Sequence, residues 1–349
     1  MTMTRSRWIL RRGSREEFDA LTAGAAIDPP IEQTAEWAEF EESDEDRQAL
    51  GVFVVEDSAE CPRAVFRATR INDHGTHFVW LRHGPVWLGD PSAEEERELV
   101  DALVNDMKII DAGATHIRLD LRFPAEATIL PASMITYDRT VVVDTSISSR
   151  DLEHDAAAEE ILSRFKSRGR RDVRKSIRES GLVCADETER AREDFEEYHA
   201  VMRETAERDG FSPWPKATYE RMIRILGPNR ARVYAGRIEG ELVCWAIVTI
   251  SGARGWYFYA ASKSAVSRRL VADRLLLFFC AELALAGVEQ VDLMGIGSDV
   301  APGLMSLNTF KTKFSPEVKE VPAAREIVVR PWLYSSVSRA RRLVRSLRR

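Results

Sequence analysis

The chain has 349 residues, of which 44% are hydrophobic and 30% charged, and its formal net charge is −6. This is the balance of a soluble globular chain, and it excludes a disordered, a collagen-like or a disulfide-stapled protein. Because one hydrophobic core rarely serves more than about 100–200 residues, the length predicts two domains.

Neither a membrane span nor a secretory signal is predicted. The longest apolar run, residues 275–286, contains Glu282 and is shorter than the roughly 20 apolar residues that a spanning helix needs. At the N-terminus, Trp8 is flanked by Arg5, Arg7 and Arg11, which is not the apolar stretch of a signal peptide. We therefore expect a buried helix at 275–286 and a cytoplasmic protein.

The order of predicted elements occurs twice along the chain. The first half has strands at 51–56, 63–69 and 76–81, a helix at 93–112 and a strand at 115–121. The second half has strands at 231–238, 241–251 and 255–260, a helix at 268–286 and a strand at 288–293, with Gly240 in a tight turn between the first two strands. In each half a glycine, Gly113 or Gly287, follows the helix, where a residue without Cβ is favoured. The repeated order predicts a duplicated α+β unit.

This order of elements is the layout of the GCN5-related N-acetyltransferase (GNAT) fold. The predicted fold class is α+β, with two tandem GNAT-like domains, each a mixed, mostly antiparallel sheet flanked by helices. By analogy alone, the layout suggests acyl transfer. GNAT enzymes hold coenzyme A with a Gln/Arg-x-x-Gly-x-Gly loop after the third strand, and residues 261–272 contain no glycine. Coenzyme A is therefore not expected as the donor, and no cofactor is predicted.

Six short motifs occur in the order found in FemABX peptidyltransferases. They are QTAEW at 33–37, RHGP at 82–85, TAERDGF at 205–211, WYFYAAS at 256–262, DLMG at 292–295 and FKTKF at 310–314. The chain resembles this family over nearly its whole length. One predicted helix at 155–180, with Gly169 inside it, stands where FemA has a long coiled-coil arm, so the chain resembles the armless, FemX-like members.

The resemblance implies transfer of an amino acid from aminoacyl-tRNA to the stem peptide of a peptidoglycan precursor. The acceptor would be lipid II or UDP-MurNAc-pentapeptide, and aminoacyl-tRNA would be a co-substrate. Residues 1–148 with 318–349 would form the first domain, on the acceptor side, and residues 149–317 would form the second, on the aminoacyl-tRNA side. No protein partner is inferred.

Four residues of the second domain receive roles from the resemblance. Lys311 would stabilise the oxyanion or the terminal phosphates, Phe310 would stack on the terminal adenine, Tyr259 would bind a substrate and Arg208 would bind the acceptor diphosphate. The alternatives are a solvated lysine, a core phenylalanine, a packed aromatic side chain and a surface arginine. If Lys311 is catalytic, we expect Lys311→Ala to lower turnover far more than stability.

Four residues of the first domain are assigned to the acceptor by the same resemblance: Trp37, Arg82 and Gly84 as binding residues, and Asp120 as the group that accepts the amine proton or orients the ammonium. The alternative for Asp120 is a strand-end acid that caps a turn.

The chain departs from the family just after Trp37. Relatives place a diphosphate-binding lysine there, whereas this chain has Glu39, Glu41 and Glu42. Arg67, Arg82 or His83 could take over that role, or the acceptor could be held in another way.

Residues 164–178 contain eight basic residues and one acid, Asp172. The basic residues are Arg164, Lys166, Arg168, Arg170, Arg171, Arg174, Lys175 and Arg178. Apolar residues recur at helical spacing in and just before this stretch, at Ile161, Leu162, Phe165, Val173 and Ile177, which predicts that one face packs while the other contacts tRNA. A merely solvated helix face is the alternative.

The sequence after Pro331 is typical of an amphipathic basic helix. Residues 339–349, from Arg339 to Arg349, could lie on the inner face of the plasma membrane, form a second tRNA contact or stay disordered. The six histidines are dispersed, so no metal site is expected. Two other functions stay open: a small-molecule N-acyltransferase that uses acyl coenzyme A, and a non-catalytic adaptor for tRNA or membranes.

Overall fold

The protein is described by a computed structural model that covers residues 8–73, 75–123, 125–131 and 136–335. It divides into two compact units, a first unit of residues 1–138 and 321–349 and a second unit of residues 139–320. The expected divisions were 148/149 and 317/318. Residues 139–148 go with the second unit because the strand Arg139–Asp144 pairs inside its sheet.

The first unit is built on an eight-stranded sheet. Its strands are β1 (Ile9–Gly13), β2 (Arg47–Glu56), β3 (Pro62–Asp73), β4 (Thr76–Trp80), β5 (Val86–Trp87), β6 (His116–Leu121), β7 (Thr128–Ile129) and the last strand of the chain, β15 (Ala323–Val328). Its helices are α1 (Arg15–Gly24), α2 (Ala35–Glu42), α3 (Ala93–Asn105) and α4 (Met107–Asp111), with a 3₁₀ turn at Ile31–Gln33. The strand order is β1-β2-β3-β4-β6-β15-β7, with β5 beside β3, and β4 and β6 run parallel.

Side chains alternate between the two faces of the first sheet. One face packs on α3 and α4 through residues such as Phe53, Phe66 and Ile117, and the other packs on α1 through Val54 and Val65. Side-chain caps set where the helices begin. Thr34 caps α2, and Ser92 and Glu95 form a capping box on α3.

The second unit has a seven-stranded sheet. Its strands are β8 (Arg139–Asp144), β9 (Val183–Asp186), β10 (Ala231–Ile238), β11 (Glu241–Ser251), β12 (Arg254–Ser262), β13 (Gln290–Gly295) and β14 (Lys319–Glu320), in the order β14-β8-β13-β12-β11-β10-β9. Its helices are α5 (His154–Arg164), α6 (Ser167–Glu179), α7 (Thr188–Glu193), α8 (Glu196–Asp209), α9 (Lys216–Leu226), α10 (Val271–Leu285) and α11 (Met305–Lys311), with 3₁₀ turns at Ser264–Arg269 and Pro302–Leu304.

The two units repeat one arrangement. In each unit, three antiparallel strands are followed by a helical segment and then by a strand that runs parallel to the third. The three strands and the parallel strand are β2, β3, β4 and β6 in the first unit, and β10, β11, β12 and β13 in the second. An antiparallel strand then flanks the parallel one, β15 beside β6 and β8 beside β13. The predicted fold class, α+β with two GNAT-like sheets, is confirmed.

Some predicted element boundaries agree with the structure, and two predicted helices are each divided in two. β10 and β11 begin and end as predicted, and Gly240 and Gly287 take left-handed φ values of +83° and +95°. The helix predicted at 93–112 is two helices separated at Asp106.

The helix predicted at 155–180 is likewise two, because Phe165 and Lys166 are extended, Phe165 packs on Phe314, and the Lys166 amide donates to the Lys313 carbonyl.

The long apolar segment forms α10, which is buried against α5, α6 and the sheet. Within the described part of the chain, no helix combines the length and the apolarity that crossing a membrane requires.

Candidate functional site

The first sheet has a polar region on the face opposite the one that packs on α3. Along β6, Ile117 and Leu119 enter the core beside α3, so the alternating Arg118 and Asp120 lie on the opposite face.

The structure brings together the four first-domain residues to which the resemblance gave roles. The Gln33 side-chain amide donates to the Arg82 carbonyl at 2.7 Å. A Cβ on Gly84 would lie 2.9 Å from the Gln33 Nε2 atom, so a larger residue there would force the Gln33 side chain to move. The Asp120 amide donates to the Gly84 carbonyl at 2.9 Å, and the Arg82 guanidinium lies 5.9 Å from the Trp37 ring centroid. We call Gln33, Trp37, Arg82, Gly84 and Asp120 the first-unit site.

Arg82 is held by an aromatic ring and a carboxylate. Its guanidinium lies 3.7 Å from the Trp80 ring centroid, and its Nε donates to Glu41 Oε1 at 3.1 Å. Glu41 is buried and also accepts a hydrogen bond from Thr69 at 2.6 Å. Glu41 Oε1 also lies 3.3 Å from Arg47 Nη1, so this acid, one of those that distinguish the chain from the family, is shared by two guanidinium groups.

Arg67 keeps more of its charge available than Arg82 does. Its Nε donates to the Gln33 carbonyl at 2.9 Å, its guanidinium lies 4.7 Å from the Phe18 ring centroid, and its nearest ion pair among the described residues, with Asp19, spans 3.9 Å. Its buried Nη2 makes no hydrogen bond within the described chain, and burial lowers the pKa of the guanidinium. A guanidinium with an unused N–H donor at a buried nitrogen favours the binding of an anion.

His83 lies between two carboxylates. The sequence suggested only a phosphate-binding role for it. Its Nδ1 lies 2.9 Å from Asp120 Oδ2, and its Nε2 lies 3.7 Å from Oε1 of buried Glu32. Glu32 was missed, because nothing in its local sequence shows that the turn places it beside His83. The described residues form no group of three or more His, Cys, Asp or Glu side chains suited to a metal ion.

A buried ion network lies next to Asp120 on the same sheet. Arg118 donates to Glu326 Oε1 at 3.1 Å, His116 approaches the same oxygen at 3.3 Å, and Tyr334 donates to Oε2 at 2.5 Å. Burial alone would raise the pKa of Glu326, but hydrogen bonding and the charges of His116 and Arg118 outweigh it and lower that pKa to about 2. This network joins β6 to β15.

Lys311 is buried at the end of α11, so it is not the solvated lysine of the alternative reading. Its Nζ donates to the carbonyls of Met294 at 3.2 Å and Gly295 at 2.8 Å, which end β13. Met294 has a left-handed φ of +61°. Burial, opposed by the charge of Asp292, lowers the pKa of Lys311 to about 8. These two bonds leave one of the three ammonium N–H groups for another acceptor.

Phe310 is half-buried and packs on the core of the second unit. Its ring centroid lies 5.0 Å from that of Phe314 and 6.5 Å from that of Tyr257. These contacts suit a core anchor, and a base could stack only on the part of the ring that stays exposed.

A β-bulge separates Tyr259 from Phe310. Ile247 pairs with Tyr259 and Val248 pairs with Tyr257, so Phe258 is an extra residue in β12. Cross-strand partners share a face: Val248 lies in the core beside α10, whereas Tyr259 packs on Tyr219 of α9, 5.1 Å between centroids. Tyr259 and Phe310 therefore belong to opposite faces of the second sheet.

Arg208 lies at the end of α8, on the same side of the sheet as Tyr259. It donates to the Ser262 carbonyl at 2.8 Å, and two of its nitrogens donate to Asp209 at 2.8 and 2.9 Å. The neighbouring carboxylate neutralises the guanidinium, so a phosphate at this point would compete with Asp209.

The helix α6 carries a basic face. Arg171, Arg174, Lys175 and Arg178 follow the i, i+3, i+4, i+7 spacing of one helix face, with 73, 50, 50 and 65% of their side chains exposed. Ile177 is 47% exposed, so its assignment to the packed stripe is wrong.

The other four basic residues of the segment surround the beginning of α6. Lys166 and Arg168 are exposed. Arg164 and Arg170 are half-buried and donate to the backbone carbonyls of Ser146 and Phe165. The predicted surface therefore consists mainly of α6 and its first residues.

A buried lysine fixes α6 in place. Lys313 Nζ contacts Asp172 of α6 at 3.2 Å and Asp273 of α10. The Lys313 carbonyl accepts the Lys166 amide at 3.1 Å and would lie 2.4 Å from a Cβ on Gly169. Gly169 is thus needed for the close approach of α6 to the backbone that follows Lys311.

The fold is that of two GNAT-like units. Residues 163–302 match the model of the acetyltransferase (GNAT) domain. The match lies within the second unit and supports an acyltransferase.

Two solved structures resemble this chain over most of its length. A crystal structure of FemX has a TM-score of 0.68 at 15% sequence identity, covering 93% of this chain and 98% of that chain. A conserved protein of unknown function from Bacteroides thetaiotaomicron has a TM-score of 0.51 at 10% identity, covering 91% of this chain and 99% of that chain. Curated protein sequences gave no significant match. The predicted FemX-like, tandem GNAT-like architecture is thereby confirmed at the level of the fold.

Proposed function

We propose that this enzyme transfers an amino acid from aminoacyl-tRNA to the stem peptide of a peptidoglycan precursor, either lipid II or UDP-MurNAc-pentapeptide. The observation that carries the proposal is the first-unit site. Trp37, Arg82 and Asp120 come from three distant parts of the chain, each was given an acceptor role by the FemABX resemblance, and all three meet around Gln33 and Gly84.

The first unit offers charges that match both ends of such an acceptor. Carboxylates at Asp120 and Glu32 suit an ammonium group. Arg67 has donor capacity left over and suits a phosphate. Of the three residues that could replace the missing lysine, we propose Arg67, since Arg82 already donates a hydrogen bond to Glu41 and His83 lies between two carboxylates.

The second unit offers a cationic surface for the donor. The exposed face of α6 suits the acceptor stem of a tRNA, whose phosphates favour lysine and arginine whatever the sequence. We propose that Lys311 uses its third N–H on the aminoacyl ester or the terminal phosphate. Phe310, Tyr259 and Arg208 stay proposals as substrate contacts, with the last two on a different face of the sheet from Phe310.

Acyl coenzyme A is a second candidate donor, because residues 163–302 match a GNAT acetyltransferase domain. In such domains the pyrophosphate binds at the helix that follows the third strand. Here that helix is α10, which carries buried Asp273 in its first turn, and the preceding segment has no glycine. Without a glycine, this segment lacks the backbone freedom with which such loops wrap a pyrophosphate.

The test is a transfer reaction with purified protein, charged tRNA and either precursor. Mass spectrometry of the precursor should show the addition of one amino acid. Reactions with uncharged tRNA, and with acetyl coenzyme A in place of tRNA, are the controls. No transfer from any charged tRNA to either acceptor would refute the proposal.

The same experiments separate the alternatives. Thermal stabilisation by acetyl coenzyme A but not by charged tRNA would favour a small-molecule acyltransferase. Salt-dependent tRNA binding without transfer would favour an adaptor.

We also propose a cytoplasmic location, where charged tRNA is found, with peripheral contact to the membrane if lipid II is the acceptor. The predicted membrane-binding residues 339–349 lie outside the described part of the chain.

A further inference from the structure

His83 lies beside Asp120 of the first-unit site, in a backbone conformation that non-glycine residues rarely adopt. It follows β4 with a left-handed φ of +48°, and its side chain is 33% exposed. Residues in such conformations persist where the surrounding structure determines them, and they cluster at functional sites. Here the surroundings are Glu32 of the 3₁₀ turn and Asp120 of β6.

The two imidazole nitrogens of His83 have different environments. Nδ1 is within hydrogen-bond distance of Asp120 at 2.9 Å, which favours the tautomer that carries a proton on Nδ1. Nε2 is 3.7 Å from Glu32, beyond hydrogen-bond reach, and makes no hydrogen bond within the described residues. An imidazole oriented by a carboxylate at one nitrogen and open at the other is arranged as a general base.

We propose that His83 is the base that removes a proton from the acceptor amine, an inference that rests on the proposed function. The ammonium group binds beside Glu32, and one N–H bond breaks as its proton moves to His83 Nε2. The electron pair of that bond stays on the amine nitrogen, which then attacks the acyl carbon of the donor ester. As the new C–N bond forms, the ester C–O bond breaks, and the tRNA hydroxyl leaves with the second proton of the attacking amine. Asp120 and Glu32 balance the imidazolium, which afterwards loses its proton to water.

This assignment changes the roles suggested by the sequence. Imidazole is a far stronger base toward an ammonium group than a carboxylate is. Asp120 already accepts the Nδ1 proton and so acts as a positioning residue for His83. A diphosphate at His83 would meet carboxylates on both sides, which excludes the phosphate-binding role weighed for this residue.

Four groups face the imidazole and decide how it titrates. Burial lowers the pKa of His83, but the charges of Glu32 and Asp120 and the Asp120 hydrogen bond outweigh burial and the opposing charge of Arg82, so the pKa rises to about 9. The Tyr137 ring, 6.3 Å from the imidazole, completes the surroundings. Because only neutral imidazole is a base, the transfer rate should rise with pH up to about 9.

The test compares single-turnover transfer by the native enzyme, His83→Gln and Glu32→Gln across this pH range, with His199→Gln as the control for loss of a histidine. We expect His83→Gln to lower the rate by about 100-fold or more, as loss of a general base does. Glu32→Gln should move the rising limb of the pH profile to lower pH by about 1 unit, since it removes a raising charge. Because the bound acceptor ammonium lies beside the same carboxylate, the pKa of the imidazole is also measured without the acceptor.

The imidazole pKa is measured independently by NMR on labelled protein without substrates. The pKa of His83 should be raised in the native enzyme and lower in Glu32→Gln. This measurement tests the inference even if His83→Gln does not fold. A full transfer rate in His83→Gln, or an ordinary imidazole pKa that Glu32→Gln leaves unchanged, would overturn the inference while leaving the proposed function in place. A native enzyme that transfers nothing from any charged tRNA would instead defeat the proposed function and this inference with it.

Discussion

Lys311 is a cation held inside the second unit by two backbone carbonyls, which changes what its removal should do. We predict that Lys311→Met lowers the free energy of unfolding by about 2 kcal/mol, because a buried acceptor left without a donor costs roughly 1–3 kcal/mol. The earlier expectation that a Lys311 variant loses activity with little loss of stability is therefore revised. Urea denaturation of both proteins measures the difference.

The pH dependence of this stability difference has a defined sign. The Lys311 pKa is about 8 in the folded protein against 10.5 without the burial, so the unfolded chain binds more protons between these values. The native protein should gain stability relative to Lys311→Met as the pH rises through this window. A stability difference that stays constant with pH would contradict the buried cation.

Glu326 gives a pH dependence of the same sign in the first unit, but in the acidic range. Glu326→Gln removes the carboxylate that neutralises buried Arg118, and breaking a buried pair costs about 3–5 kcal/mol. Because the folded pKa of Glu326 is about 2, below its ordinary 4.5, its contribution is complete above 4.5 and is lost as the pH falls toward 2. Thermal unfolding at several acidic pH values tests this.

Glu94→Gln is the matched control for that experiment, since the Glu94 side chain is 65% exposed in its pair with Arg97. It should change stability very little. Equal losses in the two variants would show that Glu326 is not the buried centre of the network.

At the scale of an element, the position of α6 depends on one glycine. We predict that Gly169→Ala destabilises the second unit by about 1–3 kcal/mol, the usual cost of overpacking, because the new Cβ would lie 2.4 Å from the Lys313 carbonyl oxygen. Gly303→Ala, where no atom lies within 4 Å of the added Cβ, is the control. Calorimetry of the two variants should show a lower unfolding temperature for Gly169→Ala only.

For the whole molecule, we predict salt-dependent binding of tRNA through α6. Arg171→Gln with Arg178→Gln should reduce the slope of log affinity against log salt by about 1–2, since each phosphate contact contributes roughly 0.7–0.9. Filter binding at several salt concentrations measures the slope.

The matched control removes two exposed arginines of α7 and α8, Arg190→Gln with Arg203→Gln, whose side chains are 58 and 60% exposed. It lowers the net charge equally. If both double variants weaken binding alike, the effect is one of net charge, and α6 is not the contact.

The architecture of the molecule was largely readable from its sequence. Strand periodicity and turn glycines are local properties, so β10, β11 and the turn at Gly240 follow from residues close together in the chain. The repeated order of elements is also a property of the linear sequence, and it was enough to predict two GNAT-like sheets. The resemblance added candidate residues at Arg82 and Asp120, which the first unit brings together.

Tertiary structure alone decided how the chemistry is arranged. Glu32, His83 and Asp120 are far apart in sequence, and only the turn before α2 and the sheet make them neighbours. Burial of Lys311 and the bulge at Phe258 are likewise set by packing partners that no local pattern contains. A residue's type and spacing determine which element it joins, whereas its charge state and its role depend on desolvation and on the groups that folding places beside it.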